Sequence, residues 1–155
     1  MKDSSDFMLV TQHLVMTEHL NPNNVIFGGQ LLAWLDTDVY IHVCNKMRFR
    51  SMVTVAMDHV HFKSPAYLGD LVQIYAKIKE IKKTSITAFG KAIAFYPDND
   101  KHRLIIECEI TYVAVDKNGR PIKAFNPPNK EWVERRTADS RVIGSFIDPK
   151  EKSEN

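Results

Sequence analysis

The segment GGQLLAWLDTDVYIHVCNKM, residues 28–47, decides the fold. Its aliphatic residues and a methionine recur at three- and four-residue spacing, which is typical of one face of an α-helix: Leu31, Leu32, Leu35, Val39, Val43 and Met47. Three further apolar side chains fall on the remaining faces: Trp34, Tyr40 and Ile41. Because a helix that is apolar on nearly every side has to be covered, we expect this helix to be buried within the domain.

Extended segments surround the helix. Residues 7–20 predict a first strand, and NPNN (21–24) predicts the turn that precedes the helix. Four segments with β-branched or alternating apolar residues follow it: 51–62, 70–83, 84–96 and 103–115. The connections are short, so neighbouring strands are expected to pair antiparallel. The predicted fold class is therefore α+β, with a long central helix wrapped by one curved antiparallel sheet.

The C-terminal part shows a different pattern. Asn129 can cap a short helix over residues 130–143, in which Trp132 and Val133 would be the packing residues. We interpret residues 1–145 as a single domain and the charged segment 146–155 as a disordered tail.

The composition argues against several classes of partner. The net charge of +2 over 155 residues is too small to imply nucleic acid. No run reaches the roughly 18 apolar residues of a membrane helix, and MKDSSDFMLV lacks a signal-peptide pattern, so we expect a cytoplasmic protein without a membrane partner. Cys44 and Cys108 are expected to be reduced core thiols. His59 and His61 form an H-x-H pair without a third ligand at suitable spacing, so no metal site is expected.

One acid interrupts the apolar helix. Burying the Asp36 carboxylate is costly unless it is paired or solvated, so Asp36 is either a structural residue bonded to a backbone or threonine group, or a functional residue in a cleft. Gly28 and Gly29 begin the helix, where N–H groups lack an intrahelical partner and the helix dipole favours negative charge. Asp36 lies roughly 12 Å further along the axis. At that distance it acts through water, or on a site shared with a second subunit.

A second acid, Asp38, is the rival to Asp36 on the same helix. The two residues point about 200° apart, so both cannot face one site. Asp38 could instead pair with His42, four residues later.

Three stretches of the chain resemble the hot-dog-fold acyl-CoA thioesterases, in particular their acyl-CoA hydrolase branch. NVIFGGQLLAWLDTDVYIHVCN (24–45) resembles the family's helix segment, with FGG and an acid that closes LLxxxD. VTVAMDHVHFKSPAYLGDLV (53–72) resembles the strand and loop that follow, with the pattern FxxPxxxGD. KKTSIT (82–87) resembles a loop that often carries Thr-Ser in these enzymes. The resemblance covers about residues 7–125.

The resemblance implies hydrolysis of acyl-CoA to free fatty acid and coenzyme A, at sites between two paired subunits, and it suggests a hexamer of three dimers. Asp36 falls on the position of the catalytic acid and would act as general base on water or attack the carbonyl itself. Gly28 or Gly29 would polarise the thioester carbonyl. Asn24 would orient the water or the thioester, although a turn role within NPNN explains it equally well. No metal or redox cofactor would be needed.

Further residues are candidates for contact with the substrate. Thr54 and Ser64 would line the thioester channel. Five others would hold the phosphates and pantetheine arm of coenzyme A: Lys63, Lys82, Lys83, Thr84 and Ser85. Lys82 and Lys83 also fit the simpler description of a solvated strand end.

Two other functions fit a hot-dog fold. A dehydratase would need a catalytic histidine close before the Gly-Gly pair, where this chain has Phe27. The alternative that remains is a non-catalytic acyl-CoA-binding hot-dog protein, which could have lost the acid that this chain retains at Asp36.

Overall fold

A computed structural model describes residues 6–124 of the chain. Five strands and one long helix make up this part. The strands are β1 (Met8–Leu14), β2 (Met52–Phe62), β3 (Leu71–Ile81), β4 (Ser85–Tyr96) and β5 (Lys101–Ala114). The helix α1 (Gly28–Met47) follows β1 and a short 3₁₀ helix (Thr17–His19). The predicted C-terminal helix and charged tail lie outside the described residues.

All five strands form one antiparallel sheet in the order β1-β3-β4-β5-β2. Each pair of strands contains at least one register shift, and such bulges bend a strand and increase its twist. The helix lies against β1, β3, β4 and β5. The predicted α+β class, a long helix packed on a curved antiparallel sheet, is confirmed.

Small residues on the central strand make room for the helix. Ala88, Gly90, Ala92 and Ala94 alternate along β4 and are all buried. A Cβ at Gly90 would lie only 2.8 Å from Val39 Cγ2 and 3.2 Å from Leu35 Cδ2, so α1 and β4 approach each other closely here. The residues of α1 that face the sheet are buried, and they recur at four-residue spacing within the pattern read from the sequence: Leu31, Leu35, Val39, Val43 and Met47.

Three expectations need correction. The first strand ends at Leu14 rather than continuing to residue 20, because the chain turns into the 3₁₀ helix (Thr17–His19). The helix is not covered on every side, since Ile41 is 40% exposed. Strands β2 and β3 are consecutive in sequence but do not pair, because β2 pairs with β5 at one edge of the sheet.

The connection from β2 to β3 (residues 63–70) therefore crosses the end of the sheet. It passes the start of α1 on its way, where Ile26 N donates a hydrogen bond to Ala66 O at 3.0 Å. This crossing, which the sequence interpretation missed, brings the loop beside the first turn of the helix. Within residues 6–124 no helix is long and apolar enough to span a membrane.

Candidate active site

Asp36 lies on the side of α1 that faces the edge strand β2. Thr54 Oγ1 donates a hydrogen bond to Asp36 Oδ1 at 2.7 Å, and Tyr112 donates one to the Asp36 backbone oxygen at 3.2 Å. Asp36 Oδ2 has no hydrogen-bond donor among the described residues. The side chain is half-buried. One carboxylate oxygen is thus fixed by a threonine, while the other is left for a water molecule or a substrate.

Burial and the charge of Asp36 together raise the pKa values of two neighbouring side chains, Cys108 and Tyr112. Burial raises the pKa of the Cys108 thiol to about 12, and the Asp36 charge adds to the effect. The same two causes raise the pKa of Tyr112, whose hydroxyl is the donor to Asp36. Both groups stay protonated at neutral pH, so neither competes with Asp36 as a base.

The first turn of α1 offers two unused donors. Phe27 precedes the helix and provides no side-chain cap, and the first turn holds no acidic residue. The first hydrogen bonds to the Phe27 carbonyl come from Gln30 N at 3.1 Å and Leu31 N at 3.3 Å. Among residues 6–124, the N–H groups of Gly28 and Gly29 donate to no acceptor. An uncapped first turn with free N–H groups favours an oxygen that carries negative charge.

A cleft of about 340 Å³ opens beside this first turn. Its lining combines apolar side chains with a lysine and a serine: Ile26, Gly28, Leu31, Phe62, Lys63, Ser64 and Pro65. Lys63 Nζ lies 3.4 Å from Glu107 Oε1, and Ser64 Oγ donates to Leu104 O at 2.7 Å. Three of the predicted site residues, Gly28, Lys63 and Ser64, are therefore brought together. The serine hydroxyl is already bonded to the backbone.

A buried ion pair holds the loop that forms one wall of this cleft. Asp70 is 2% exposed, and its Oδ2 accepts hydrogen bonds from Arg103 Nη2 at 2.5 Å and Tyr67 N at 2.9 Å. Asp70 belongs to the FxxPxxxGD pattern quoted above. The sequence pointed to this aspartate through a resemblance but not to its partner Arg103, which lies on β5.

Asn24 occupies a turn. Its backbone is left-handed at φ 59, a conformation that asparagine tolerates, and its N–H donates to Asn21 O at 2.9 Å. The amide oxygen of Asn21 accepts hydrogen bonds from Asn23 N at 2.9 Å and Val25 N at 3.3 Å. The geometry thus explains Asn24 as a turn residue, and its role in catalysis stays a prediction. Asn21, the first residue of NPNN, organises the loop and was missed.

The hairpin that carries the other predicted coenzyme A contacts lies at the opposite end of the sheet. Lys82, Lys83 and Thr84 connect β3 to β4, and Lys82 N donates to Ser85 O at 2.8 Å. Ser85 pairs with Val113 in the sheet register. Because Phe62 pairs with Ile106 instead, the hairpin and the cleft do not meet within one chain.

Asp38 has a different environment from Asp36. Its side chain is 5% exposed, and Oδ2 accepts hydrogen bonds from Thr11 Oγ1 at 2.5 Å and His13 Nε2 at 2.6 Å. The bonds to β1 replace the expected pairing with His42. His42 is buried, and this burial, with the charge of Lys46, lowers its pKa.

The described residues contain no group of three or more metal-ligating side chains. Of the H-x-H pair, His59 lies close to an acid, with Nδ1 3.8 Å from Glu109 Oε1.

Comparison with known proteins finds relatives that are thioesterases. Residues 23–94 match the thioesterase superfamily. YciA of Salmonella typhimurium, an acyl-CoA thioester hydrolase, is 32% identical over 117 residues, which cover 73% of this chain and 86% of YciA. YkhA of Bacillus subtilis, an uncharacterized acyl-CoA thioester hydrolase, is 30% identical over 102 residues; that alignment covers 66% of this chain and 59% of YkhA.

Solved structures share the fold. The hexameric thioesterase y2039 from Yersinia pestis has 31% identity and a TM-score of 0.71, over 76% of this chain and 95% of that chain. The acyl-CoA hydrolase from Staphylococcus aureus, in complex with butyryl coenzyme A, coenzyme A and coenzyme A disulfide, has 26% identity and a TM-score of 0.68, over 86% of this chain and 87% of that chain.

Proposed function

Since this chain belongs to the thioesterase superfamily and, within it, to the acyl-CoA thioester hydrolases, we propose that it hydrolyses acyl-CoA to a free fatty acid and coenzyme A. The observation that carries the proposal is the pairing of two features on one helix. The N–H groups of Gly28 and Gly29 are unused at a cleft, and the Asp36 carboxylate faces the edge strand with one oxygen unbonded among the described residues.

The two features divide the reaction between them. The thioester carbonyl oxygen accepts hydrogen bonds from the free N–H groups, which stabilise the negative charge that develops on it. Asp36 takes a proton from water, whose oxygen adds to the carbonyl carbon. The C–S bond then breaks, and coenzyme A leaves as a thiolate that takes up the proton. If Asp36 attacks directly, a mixed anhydride forms first and water then opens it. Neither route needs a metal or a redox cofactor.

Within one chain the acid is far from the donors. Asp36 lies eight residues after Gly28, roughly 12 Å along the helix axis. Its partner Thr54 lies near the start of β2, and Phe62, which contacts the Gly28 end, lies at the other end of the strand. Asp36 and the N–H donors of the same chain therefore cannot act on one carbonyl carbon.

In a dimer, a second copy of the chain can bring the missing group to each site. Strand β2 is an edge strand, so one side of its backbone is unpaired, and Val53 and Val55 are 46% and 55% exposed on it. Two β2 strands that pair antiparallel around a twofold axis near Met57 continue the sheet. Asp36 of one protomer then comes beside Gly28 of the partner subunit.

The same pairing explains the position of the lysine hairpin. Lys82 and Lys83 lie at the Thr54 end of the sheet, so in this dimer they approach the cleft of the partner subunit. There they fit the phosphates of coenzyme A together with Lys63, Thr84 and Ser85. The hexameric assembly of the Yersinia pestis thioesterase supports a trimer of such dimers. We also propose a cytoplasmic location, which suits the absence of a disulfide at Cys44 and Cys108 among the described residues.

The test is hydrolysis of an acyl-CoA series from acetyl to palmitoyl by the purified protein, with released thiol as the readout. Asp36→Asn should lower kcat by about 10²–10⁴, the usual contribution of a general base, without loss of coenzyme A binding. Asp98→Asn, a change at an exposed turn acid, is the matched control and should be as active as the wild type.

Two outcomes would change the conclusion. Full activity of Asp36→Asn would exclude this acid as the base or nucleophile. Absence of hydrolysis across the whole series, with coenzyme A still bound, would favour a non-catalytic acyl-CoA-binding protein. A single turnover in ¹⁸O-labelled water separates the two routes, because label appears in the Asp36 carboxylate only after direct attack.

A further inference from the structure

Phe62 is a large aromatic residue in an unusual place. It ends β2, is 55% exposed, and lies in the cleft beside the first turn of α1. Its ring atoms Cε1 and Cζ are 3.1 Å from the point that a Cβ on Gly28 would occupy. The ring therefore lies against Gly28, whose N–H is one of the two free donors.

The two glycines of the pair differ in their surroundings. A Cβ at Gly28 would meet the Phe62 ring, whereas a Cβ at Gly29 would meet no atom within 4 Å. Space beside the donors is thus limited on one side and open on the other. Ile26 and Leu31, the other apolar residues of the lining near the helix, are 6% and 3% exposed and are held in the core. Unlike these two residues, Phe62 can be replaced by a smaller side chain without disturbing the core.

We propose that Phe62 is a specificity-determining residue that excludes acyl groups branched at the carbon next to the thioester carbonyl. The inference rests on the proposed function, in which the carbonyl oxygen binds the Gly28 and Gly29 N–H groups. The carbonyl carbon then carries two substituents at the mouth of the cleft. The sulfur leads into the same pantetheine arm in every substrate, so only the α-carbon of the acyl group varies in bulk.

The chemistry of the wall suits this role. An aromatic ring edge excludes a methyl branch by contact alone, and it offers an apolar surface to an unbranched chain. One methyl group in such an apolar slot changes kcat/KM by roughly 10- to 200-fold. The discrimination expected from Phe62 is at the low end of this range, about tenfold.

The test compares n-butyryl-CoA with isobutyryl-CoA, which have the same composition and differ in the α-branch. Phe62→Ala should raise the isobutyryl to n-butyryl ratio of kcat/KM by about tenfold. Phe62→Leu should raise it by less. Gly28→Ala keeps the N–H and adds a methyl group 3.1 Å from the Phe62 ring, which takes up further space beside the donors, so it should lower the ratio, and Gly28→Ala/Phe62→Ala should return it toward the wild type. Leu14→Ala, a change at a 51% exposed apolar residue on the far edge strand, is the control and should leave the ratio unchanged.

Three outcomes overturn the proposal. The first is an unchanged ratio in both active Phe62 variants, which would leave the proposed function intact. The second is loss of activity toward both substrates in both Phe62 variants at the wild-type oligomeric state, since the ring would then support binding in general. The third is a wild-type protein that hydrolyses neither substrate nor any other acyl-CoA, in which case the proposed function fails as well.

Discussion

Substitution of the two acids of α1 should have opposite effects. We expect a change at Asp38 to lower stability and a change at Asp36 to lower activity, and Asp38 gives the sharper test of the structure. Asp38 is 3% exposed and accepts hydrogen bonds from Thr11 and His13 on β1. The ring of His13 is stacked on Trp34, with centroids 4.2 Å apart and an interplanar angle of 4°, which holds Nε2 toward the carboxylate. This cluster ties the edge strand β1 to the helix.

Asp38→Asn keeps the shape of the side chain and removes its charge. A hydrogen bond to a charged group contributes about 1.5–3 kcal/mol, and the amide weakens two of them, so we expect the free energy of unfolding to fall by about 3 kcal/mol. At about 2–4 °C per kcal/mol for a chain of this size, Tm should fall by roughly 6–12 °C. Urea unfolding at one fixed protein concentration measures the change, because association makes the midpoint depend on concentration.

Asp36→Asn is the matched comparison on the same helix. Asp36 is half-buried and has one hydrogen bond, from the exposed Thr54, so its substitution should cost about 1 kcal/mol or less. Asp38→Asn should in turn retain the wild-type kcat/KM below its unfolding temperature, because its side chain faces β1 rather than β2. Equal losses of stability in the two variants, or a stability of Asp38→Asn within about 0.5 kcal/mol of the wild type, would refute the assigned environments.

Three further predictions concern the core. Gly90→Ala places a Cβ 2.8 Å from Val39 Cγ2, so the helix has to move away from β4, and thermal unfolding should show a loss of about 1–3 kcal/mol. Burial lowers the pKa of His42, so in the unfolded chain this residue takes up a proton at a higher pH than in the folded one. The free energy of unfolding should therefore fall as the pH drops from 7.5 to 5.5, and His42→Gln should lose less over this interval in urea titrations. Burial raises the pKa of Cys108 to about 12 from a usual 9.0, so stability is retained below pH 9 and decreases above it. At pH 8 the Cys108 thiol should react with a thiol reagent only after unfolding, and rapid modification of Cys108 in the native protein would contradict its burial.

The helix and the strands could be predicted closely from the sequence because their signals are local. The spacing of apolar residues placed α1 at Gly28–Met47, and the alternation in DLVQIYAKIKEI placed β3. The order of the strands could not be predicted in the same way. Local propensity indicates that a segment is extended, but the pairing of β2 with β5 depends on which edge of the sheet remains free once α1 covers one face.

The candidate site was predictable where its residues belong to one element. Asp36, Gly28 and Gly29 stand out within a single helix, so the sequence alone was sufficient to name them as candidates. Phe62 opens the FxxPxxxGD pattern, but the pattern does not place its ring, and only the fold shows that it lies against Gly28. The loop 63–70 needs Arg103 as the partner of Asp70, which comes from a strand 33 residues later.

The geometry of α1 also explains why two acids two residues apart have different environments. A rotation of about 200° between positions 36 and 38 turns one carboxylate toward β2 and the other toward β1, at opposite edges of the sheet. At the β1 edge, Thr11 and His13 occupy the Asp38 carboxylate, and burial leaves no room for a substrate. Both β1 and β2 are edge strands, but at the β2 edge Asp36 is only half-buried and its carboxylate has one donor, Thr54. Of the two acids, only Asp36 combines an accessible side chain with a carboxylate oxygen that has no donor among the described residues, and in the proposed dimer the second β2 strand that pairs beside it also brings the partner's free helix N-terminus.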